Sequence, residues 1–253
     1  MNTKAVCLIT LIPNKIWCDF LNSFNASTYT IYVVVDDNNF DLSQFITEYD
    51  TITFIQVENK KCSTCGYVDT NFTLQKLISG WDKALYYFGI ENKIHDHIWF
   101  MEDDVFFYNA LTLEAIDCQY ADDDLLSNCY EENINGDRNT WHWRTINIRQ
   151  YPPPYYNSMV CVIRISRKLM NCINNYAAKY KTLFFLEALF PTIAIKNNLK
   201  YSCPLEFRNI NYRDFKRKNI NVINLYHPVK DLNHHILFRN ELLKNVITNN
   251  MCV

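Results

Sequence analysis

The chain has 253 residues, 49% of them apolar, and 25 basic against 27 acidic side chains for a net charge of −2. That is enough apolar material for one large core, and the balanced charge gives no electrostatic reason to expect nucleic acid or an anionic membrane as partner. Only 4 glycines argue against a Gly-rich phosphate loop and against a turn-dense all-β fold.

Residues 5–12 form an apolar run broken only by Thr10. A single Lys before it and no small-x-small cleavage site favour a first core strand, residues 5–11, over a signal peptide. Pro13-Asn14-Lys15 reads as a turn, and Ile16, Phe20, Leu21 and Phe24 recur at helical spacing. Residues 30–35 are β-branched and predict a second strand ending in Asp36 and Asp37; residues 51–57 predict a third. A loop with Lys60, Lys61 and the pair Cys62/Cys65 follows. No second pair stands at zinc-like spacing, so zinc or redox chemistry is the minor reading there, and the other cysteines read as small core residues. The clearest helical periodicity is Leu74, Leu77, Ile78, Trp81, Leu85 and Phe88, which leaves Lys76 and Lys83 on the opposite face. It leads into a buried strand at residues 98–101 that runs straight into Glu102, Asp103 and Asp104. Strand and helix alternating in this way imply parallel strands joined by crossovers, the α/β class.

The second half is less regular. Residues 121–132 are acidic and polar and read as a surface excursion, with Asp122-Asp123-Asp124 capping a helix or facing solvent. Trp141-His-Trp-Arg-Thr and Tyr151-Pro-Pro-Pro-Tyr-Tyr are aromatic and stiff; their flat faces suit a sugar ring or a partner protein, and equally packing over the sheet. Residues 159–165 predict a strand, 167–181 a helix, and 183–198 a helical stretch broken or restarted at Pro191. Residues 222–226 predict a last strand, followed by His227 and Lys230, and residues 231–246 a terminal helix. No run approaches the ~18–20 apolar residues of a membrane helix, so a soluble, cytoplasmic protein is expected. In such a protein the sequons at Asn25 and Asn71 carry no weight.

Three adjoining carboxylates at the end of a buried strand repel one another, and a divalent cation would relieve them. Mg²⁺ and Mn²⁺ take oxygen ligands, and the carboxyl ends of strands in an open α/β sheet are where ligands gather. A solvated acidic turn is the alternative. Glu187 is a single carboxylate in the apolar run Phe184-Phe-Leu-Glu-Ala-Leu-Phe-Pro-Thr192. Desolvation there would raise its pKa toward that of a general base; a helix-start acid serving the dipole or pairing with an Arg reads equally well.

The element order, with Asp36-Asp37 after the second strand, Glu102-Asp103-Asp104 after the central one and His227 after a late one, resembles the GT-A-fold glycosyltransferases. The overall style is similar to enzymes of large DNA viruses and bacteria, which for a viral protein would mean the host cytoplasm. The resemblance implies one GT-A-like domain over residues 1–253, a Rossmann-type mixed sheet flanked by helices. Residues 1–107 would bind the nucleotide sugar, and residues 108–253 would bind the acceptor and close the metal and phosphate site. It implies Mn²⁺ or Mg²⁺ on Glu102, Asp104 and His227. A nucleoside-diphosphate sugar, a UDP-sugar first, would lie against Asp36, Asp37, Lys83, Asp103 and Lys230. Glu187 would be the base of an inverting transfer to a glycan or protein hydroxyl. A nucleotidyltransferase would share the α/β half but want a Gly-bearing loop in place of Leu11-Ile-Pro-Asn-Lys15; a glycan-binding module would keep the aromatic stretch without the metal site.

Overall fold

A computed structural model describes residues 3–26, 29–71, 77–148, 151–213 and 220–251. In chain order come β1 (Lys4–Thr10), α1 (Lys15–Asn22), β2 (Tyr29–Val35), α2 (Ser43–Glu48), β3 (Ile52–Ile55), α3 (Asn59–Cys65), α4 (Gly80–Tyr86) and β4 (His97–Glu102). The second half contributes α5 (Ala110–Gln119), β5 (Leu125–Leu126), β6 (Glu131–Asn133), β7 (Tyr155–Asn157), β8 (Val162–Ser166), α6 (Arg167–Tyr180) and α7 (Leu186–Lys196). The chain closes with β9 (Tyr201–Ser202), β10 (Asn209–Ile210), β11 (Tyr226–His227) and α8 (Leu232–Met251).

The main sheet has seven strands in the order β3, β2, β1, β4, β8, β5, β9. The first four are mutually parallel and β8 runs against both β4 and β5, the mixed α/β sheet expected from the sequence. β1 lies between β2 and β4, and from Ala5 to Thr10 every residue is buried, as a parallel strand covered on both faces requires. Alternation along the strands divides the core in two: Cys7, Ile9, Ile98 and Phe100 lie in one cluster, and Val6, Leu8, Trp99 and Met101 in the other. α4, α6 and α7 cover the first face; α1 and α5 cover the second.

Local chemistry sets where the helices begin. Asn14 caps α1, its side chain accepting from the Trp17 N–H at 2.9 Å. Ser79 and Asp82 form a reciprocal capping box on α4, so that helix starts at Gly80 and not at residue 74. Leu77 and Ile78 precede it in irregular backbone, and Leu74 and Lys76 lie outside the described residues. Gly80 is there for space, because a Cβ would sit 2.7 Å from Ile9 Cγ2. Its bareness lets α4 reach the carboxyl end of β1.

Three other expectations are corrected. Lys83 does not sit on an open helix face; its side chain is 1% exposed. The acidic stretch 121–132 is not a surface excursion, since it carries β5 into the sheet between β8 and β9. Asp123 and Asp124 are buried there, and each has a partner distant in sequence. Asp124 accepts from Ser166 Oγ at 2.7 Å and the Lys200 N–H at 3.1 Å, while Lys200 Nζ lies 3.1 Å from Asp123. Pro191 does not break or restart a helix either, because α7 runs through it. No helix among the described residues is long and apolar enough to cross a membrane.

Candidate active site

β4 delivers the carboxylates. Continuing its alternation, Glu102 falls on the Ile98/Phe100 face, where Trp81 Nε1 of α4 donates to Glu102 Oε1 at 2.7 Å. Asp103 turns toward β1: its Oδ2 accepts from Thr10 Oγ1 at 2.5 Å, and its carbonyl accepts from Trp17 Nε1 at 2.7 Å. Asp104 is met by the C-terminal segment. Phe106 and Tyr226 exchange backbone hydrogen bonds of 2.8 and 2.9 Å, and the Val229 N–H donates to the Asp104 carbonyl at 2.7 Å.

That bridge brings in His227. Its Nδ1 lies 2.6 Å from the Asn211 carbonyl, which can only accept, so Nδ1 carries a proton and the neutral ring has its lone pair on Nε2. Nε2 lies 3.2 Å from Asp104 Oδ1. The ligand atoms of Glu102, Asp104 and His227 all lie within 4.8 Å of one another. Asp104 Oδ1 is buried without a hydrogen-bond partner; the His227 approach is close but not aligned as a hydrogen bond. An orphaned carboxylate oxygen facing a nitrogen lone pair and a second carboxyl fits a divalent cation, and two oxygen ligands with one imidazole suit Mn²⁺ or Mg²⁺. Burial, and after it the charge of Asp104, push Glu102 up to about 7 against the Trp81 hydrogen bond. Burial alone would lower His227, but the Asp104 carboxylate and the Asn211 carbonyl outweigh it and hold the imidazole above its ordinary value.

A cavity of about 350 Å³ opens beside the trio, with Asn71, Glu187, Tyr212, Arg213 and Lys230 also in its wall. Glu187 sits in the first turn of α7, ahead of where a helix starting at Pro191 would have left it. Pro191 has no N–H for the Glu187 carbonyl four residues back. That carbonyl accepts instead from the Ser158 N–H at 2.9 Å, which ties the start of α7 to the loop carrying Met159 and Val160 along the cavity. From the other side the Leu186 N–H donates to the Thr70 carbonyl at 2.9 Å. Burial pushes the Glu187 carboxyl up to about 7, against hydrogen bonds from the Trp141 side chain and the Val160 backbone.

Asp36, Asp37 and Lys83 form a separate group at the ends of β1 and β2. The Asp36 and Asp37 N–H groups donate to the Thr10 and Leu11 carbonyls at 2.9 and 3.0 Å. Lys83 Nζ reaches Asp36 Oδ1 at 2.7 Å and Asn38 Oδ1 at 3.1 Å, and also bonds the Asp36 carbonyl. A lysine so engaged fixes Asp36 and is not free for a phosphate. Lys230 is exposed at the cavity wall. The structure thus brings Glu102, Asp104, His227, Glu187 and Lys230 to one cavity, and leaves Asp36, Asp37, Lys83 and Asp103 beside it. A larger cavity of about 520 Å³ lies near Asp96 and Arg167. Those polar groups already serve the fold, Asp96 with Thr3 and Arg167 with the carbonyls of Phe88, Asn92 and His95.

Sequence reasoning missed Trp81, Trp141, Asn211 and Arg213. Trp81 looks like a core residue in any hydropathy pattern, and the signal that could have raised it is that a buried indole N–H needs an acceptor.

No protein-family model matches the chain, and neither does any curated protein. Solved structures similar to it include an active-site mutant of LgtC, at 12% identity and TM-score 0.49 over 90% of this chain and 88% of that one. Mouse xyloside xylosyltransferase 1 in its apo form is similar at 11% identity and TM-score 0.42, over 90% and 97%. The 4-diphosphocytidyl-2C-methyl-D-erythritol synthase of Anaerococcus prevotii is similar at 10% identity and TM-score 0.46, over 80% and 86%. These resemblances leave the chemistry to be argued from the residues of this chain.

Proposed function

We propose that this protein is a metal-dependent glycosyltransferase that moves a sugar from a nucleoside-diphosphate sugar, with UDP-sugars the first donors to try, to a glycan or protein hydroxyl with inversion. The observation that carries the reading is the Glu102–Asp104–His227 cluster, its ligand atoms within 4.8 Å of one another, in one cavity with a carboxyl at Glu187 held near neutrality. Glu102, Asp104 and His227 would hold Mn²⁺ or Mg²⁺, which when bound supplies positive charge to the diphosphate that leaves.

The remaining steps belong to the chain's own groups. Lys230 and Arg213 in the cavity wall add cationic charge for the departing phosphates. Asp36 and Asp37 face the nucleoside at the end of β2, with Lys83 bracing Asp36 from below and the Thr10–Asp103 bond fixing the adjoining turn. Glu187 takes the proton of the acceptor hydroxyl as its oxygen bonds the anomeric carbon, on the face opposite the breaking bond to the diphosphate. A carboxyl with a pKa of about 7 is ionised in useful fraction at neutral pH and is a stronger base than an ordinary glutamate. Residues 1–107 would then act as the donor half and 108–253 as the acceptor half of one domain.

Incubation with a panel of nucleotide sugars, with and without Mn²⁺, tests the reading. Metal-dependent release of nucleoside diphosphate supports glycosyl transfer, whereas release of pyrophosphate from a nucleoside triphosphate and a sugar phosphate would mean nucleotidyl transfer. No metal-dependent turnover and no nucleotide binding with any donor would sink it.

A further inference from the structure

The start of α4 is fixed residue by residue. Ser79 and Asp82 close its capping box, the Ser79 N–H and Oγ donating to Asp82 Oδ2 at 2.9 and 2.7 Å. Gly80 lies against Ile9, where a Cβ would come within 2.7 Å of Cγ2, and Lys83 pairs with Asp36 at 2.7 Å. Trp81 stands among these residues and is 5% exposed. Its ring packs on Phe100 of β4 and Phe190 of α7, centroids 6.1 and 6.0 Å away. The indole so seated donates from Nε1 to Glu102 Oε1 at 2.7 Å, in the wall of the cavity that Asp104 and His227 also line.

We propose that Trp81 is a positioning residue for the metal site, whose indole N–H fixes the rotation of the Glu102 carboxylate so that it stands ready against Asp104 and His227. The inference rests on reading those three residues as ligands of a divalent metal. A freely rotating glutamate would lose its rotamer freedom when the ion binds, whereas a hydrogen-bonded one has lost it already on folding. The choice of donor has a chemical reason. A Lys or Arg partner would hold the carboxylate as firmly but would set a positive charge beside the incoming cation; the indole N–H is neutral and a donor only. A buried indole needs an acceptor in any case, and a backbone carbonyl would serve. This one takes a group whose ligand atom lies within 4.8 Å of those of Asp104 and His227, and hydrogen bonds to a metal's ligands are what orient them.

The test is metal binding by the full chain without donor or acceptor. Wild-type protein should bind Mn²⁺ alone, followed by loss of the free-ion signal in electron paramagnetic resonance. Trp81→Phe removes the N–H together with part of the ring. A second variant therefore carries 3-benzothienylalanine in place of Trp81, in which sulfur replaces the N–H and the packing surface is kept. Both should bind Mn²⁺ roughly ten- to a hundredfold more weakly, with the wild-type fold by circular dichroism. The indole ¹⁵N–H resonance missing from Trp81→Phe is that of Trp81. In wild type it should move as Mg²⁺ saturates, because the ion draws charge from the carboxylate that accepts the bond. Wild-type Mn²⁺ affinity in the benzothienyl variant, or a Trp81 resonance that ignores bound Mg²⁺, overturns the proposal and leaves the metal site standing. Wild-type protein that takes up neither ion sinks the metal reading and this inference with it.

Discussion

Replacing Glu187 by Gln should make the protein more stable and less active at the same time. Lifting a carboxyl from its ordinary 4.5 to about 7 costs the folded state ~3 kcal/mol once the group ionises, at about 1.4 kcal/mol per tenfold in proton affinity. The group is protonated in both folded and unfolded chains below pH 4.5, so nothing is lost there. Between 4.5 and about 7 the unfolded chain ionises first and stability falls; above that range the whole cost is present. Gln never ionises. Its amide NH2 stands where a carboxylate oxygen accepted and can only donate there, which returns about 1 kcal/mol. The net gain is ~2 kcal/mol at pH 8, or roughly 4–8 °C in melting temperature for a chain of this size, falling with acid and reversing to a deficit of about 1 kcal/mol near pH 4.5. Over the same range transfer at saturating donor should fall ~10²- to 10⁴-fold, the usual loss of a general base. Thermal melts at pH 5 and pH 8, beside the transfer rate of the same samples, check both halves. A variant less stable than wild type at pH 8, or one whose difference from wild type ignores pH, would refute the desolvated-base argument.

Asp104→Asn and His227→Gln should each abolish the rise in melting temperature that Mn²⁺ with a nucleoside diphosphate produces by mass action. Metal-free melting of Asp104→Asn should stay within about 1 kcal/mol of wild type, since Asp104 Oδ1 has no native hydrogen bond to lose, whereas His227→Gln also gives up the Nδ1 bond to the Asn211 carbonyl, about 1 kcal/mol more; a retained metal response would remove these residues from the site. Mn²⁺ affinity should fall by roughly tenfold or more per pH unit as acid protonates His227, whose pKa is raised, because the ligand must be the neutral imidazole. Calorimetric titrations between pH 5.5 and 8 that give a flat affinity would argue against an imidazole ligand. Lys83→Met should cost ~1–3 kcal/mol in urea unfolding: the lysine is fully buried, but the Asp36 side chain it leaves is 29% exposed and can recover water. Donor binding should weaken with it, and a neutral variant would mean that Asp36 needs no brace.

How much of this was readable beforehand depends on the distance over which each feature is determined. The strands β1, β2 and β4 are continuous apolar runs buried on both faces, so hydrophobicity alone marks them, and the carboxylates that follow are visible as a break in that pattern. β5 was invisible for the opposite reason. Its two leucines sit behind Asp122, Asp123 and Asp124, and only Lys200, Ser166 and Arg164, all distant in sequence, make that acidic approach tolerable. Arg164 in β8 is likewise 1% exposed because Asp117 of α5 lies 2.8 Å away, a pairing no local pattern reports. Helix starts followed the same rule. The Ser79–Asp82 box outweighed an apolar periodicity that seemed to begin at Leu74, and at Pro191 a free Ser158 N–H, supplied by another segment, let the helix continue where local rules would end it.

The two glutamates of the cavity show why the site had to be built from distant parts. Each is lifted by burial to about 7, and Glu102 accepts from the Trp81 indole. What separates them is the company of their second oxygens. Glu102 shares its end of the cavity with Asp104 and His227, ligand atoms within 4.8 Å, so a divalent cation there would draw it down to a permanent carboxylate. The hydrogen bonds to Glu187 come from neutral donors, the Trp141 side chain and the Val160 backbone, and leave it free to gain and lose a proton near pH 7. On the proposed reading, two buried carboxyls with different neighbours would divide into a ligand and a base. Moving a positive charge next to Glu187 should erase that division. An arginine introduced at Trp141, by pairing with the carboxylate, would return its pKa toward or below 4.5, the ordinary value. Such a variant should bind Mn²⁺ and nucleotide normally, lose the acid limb of its rate profile near pH 7, and transfer slowly at every pH; an enzyme that stayed fast with its acid limb unmoved would show that Glu187 is not the group that takes the proton.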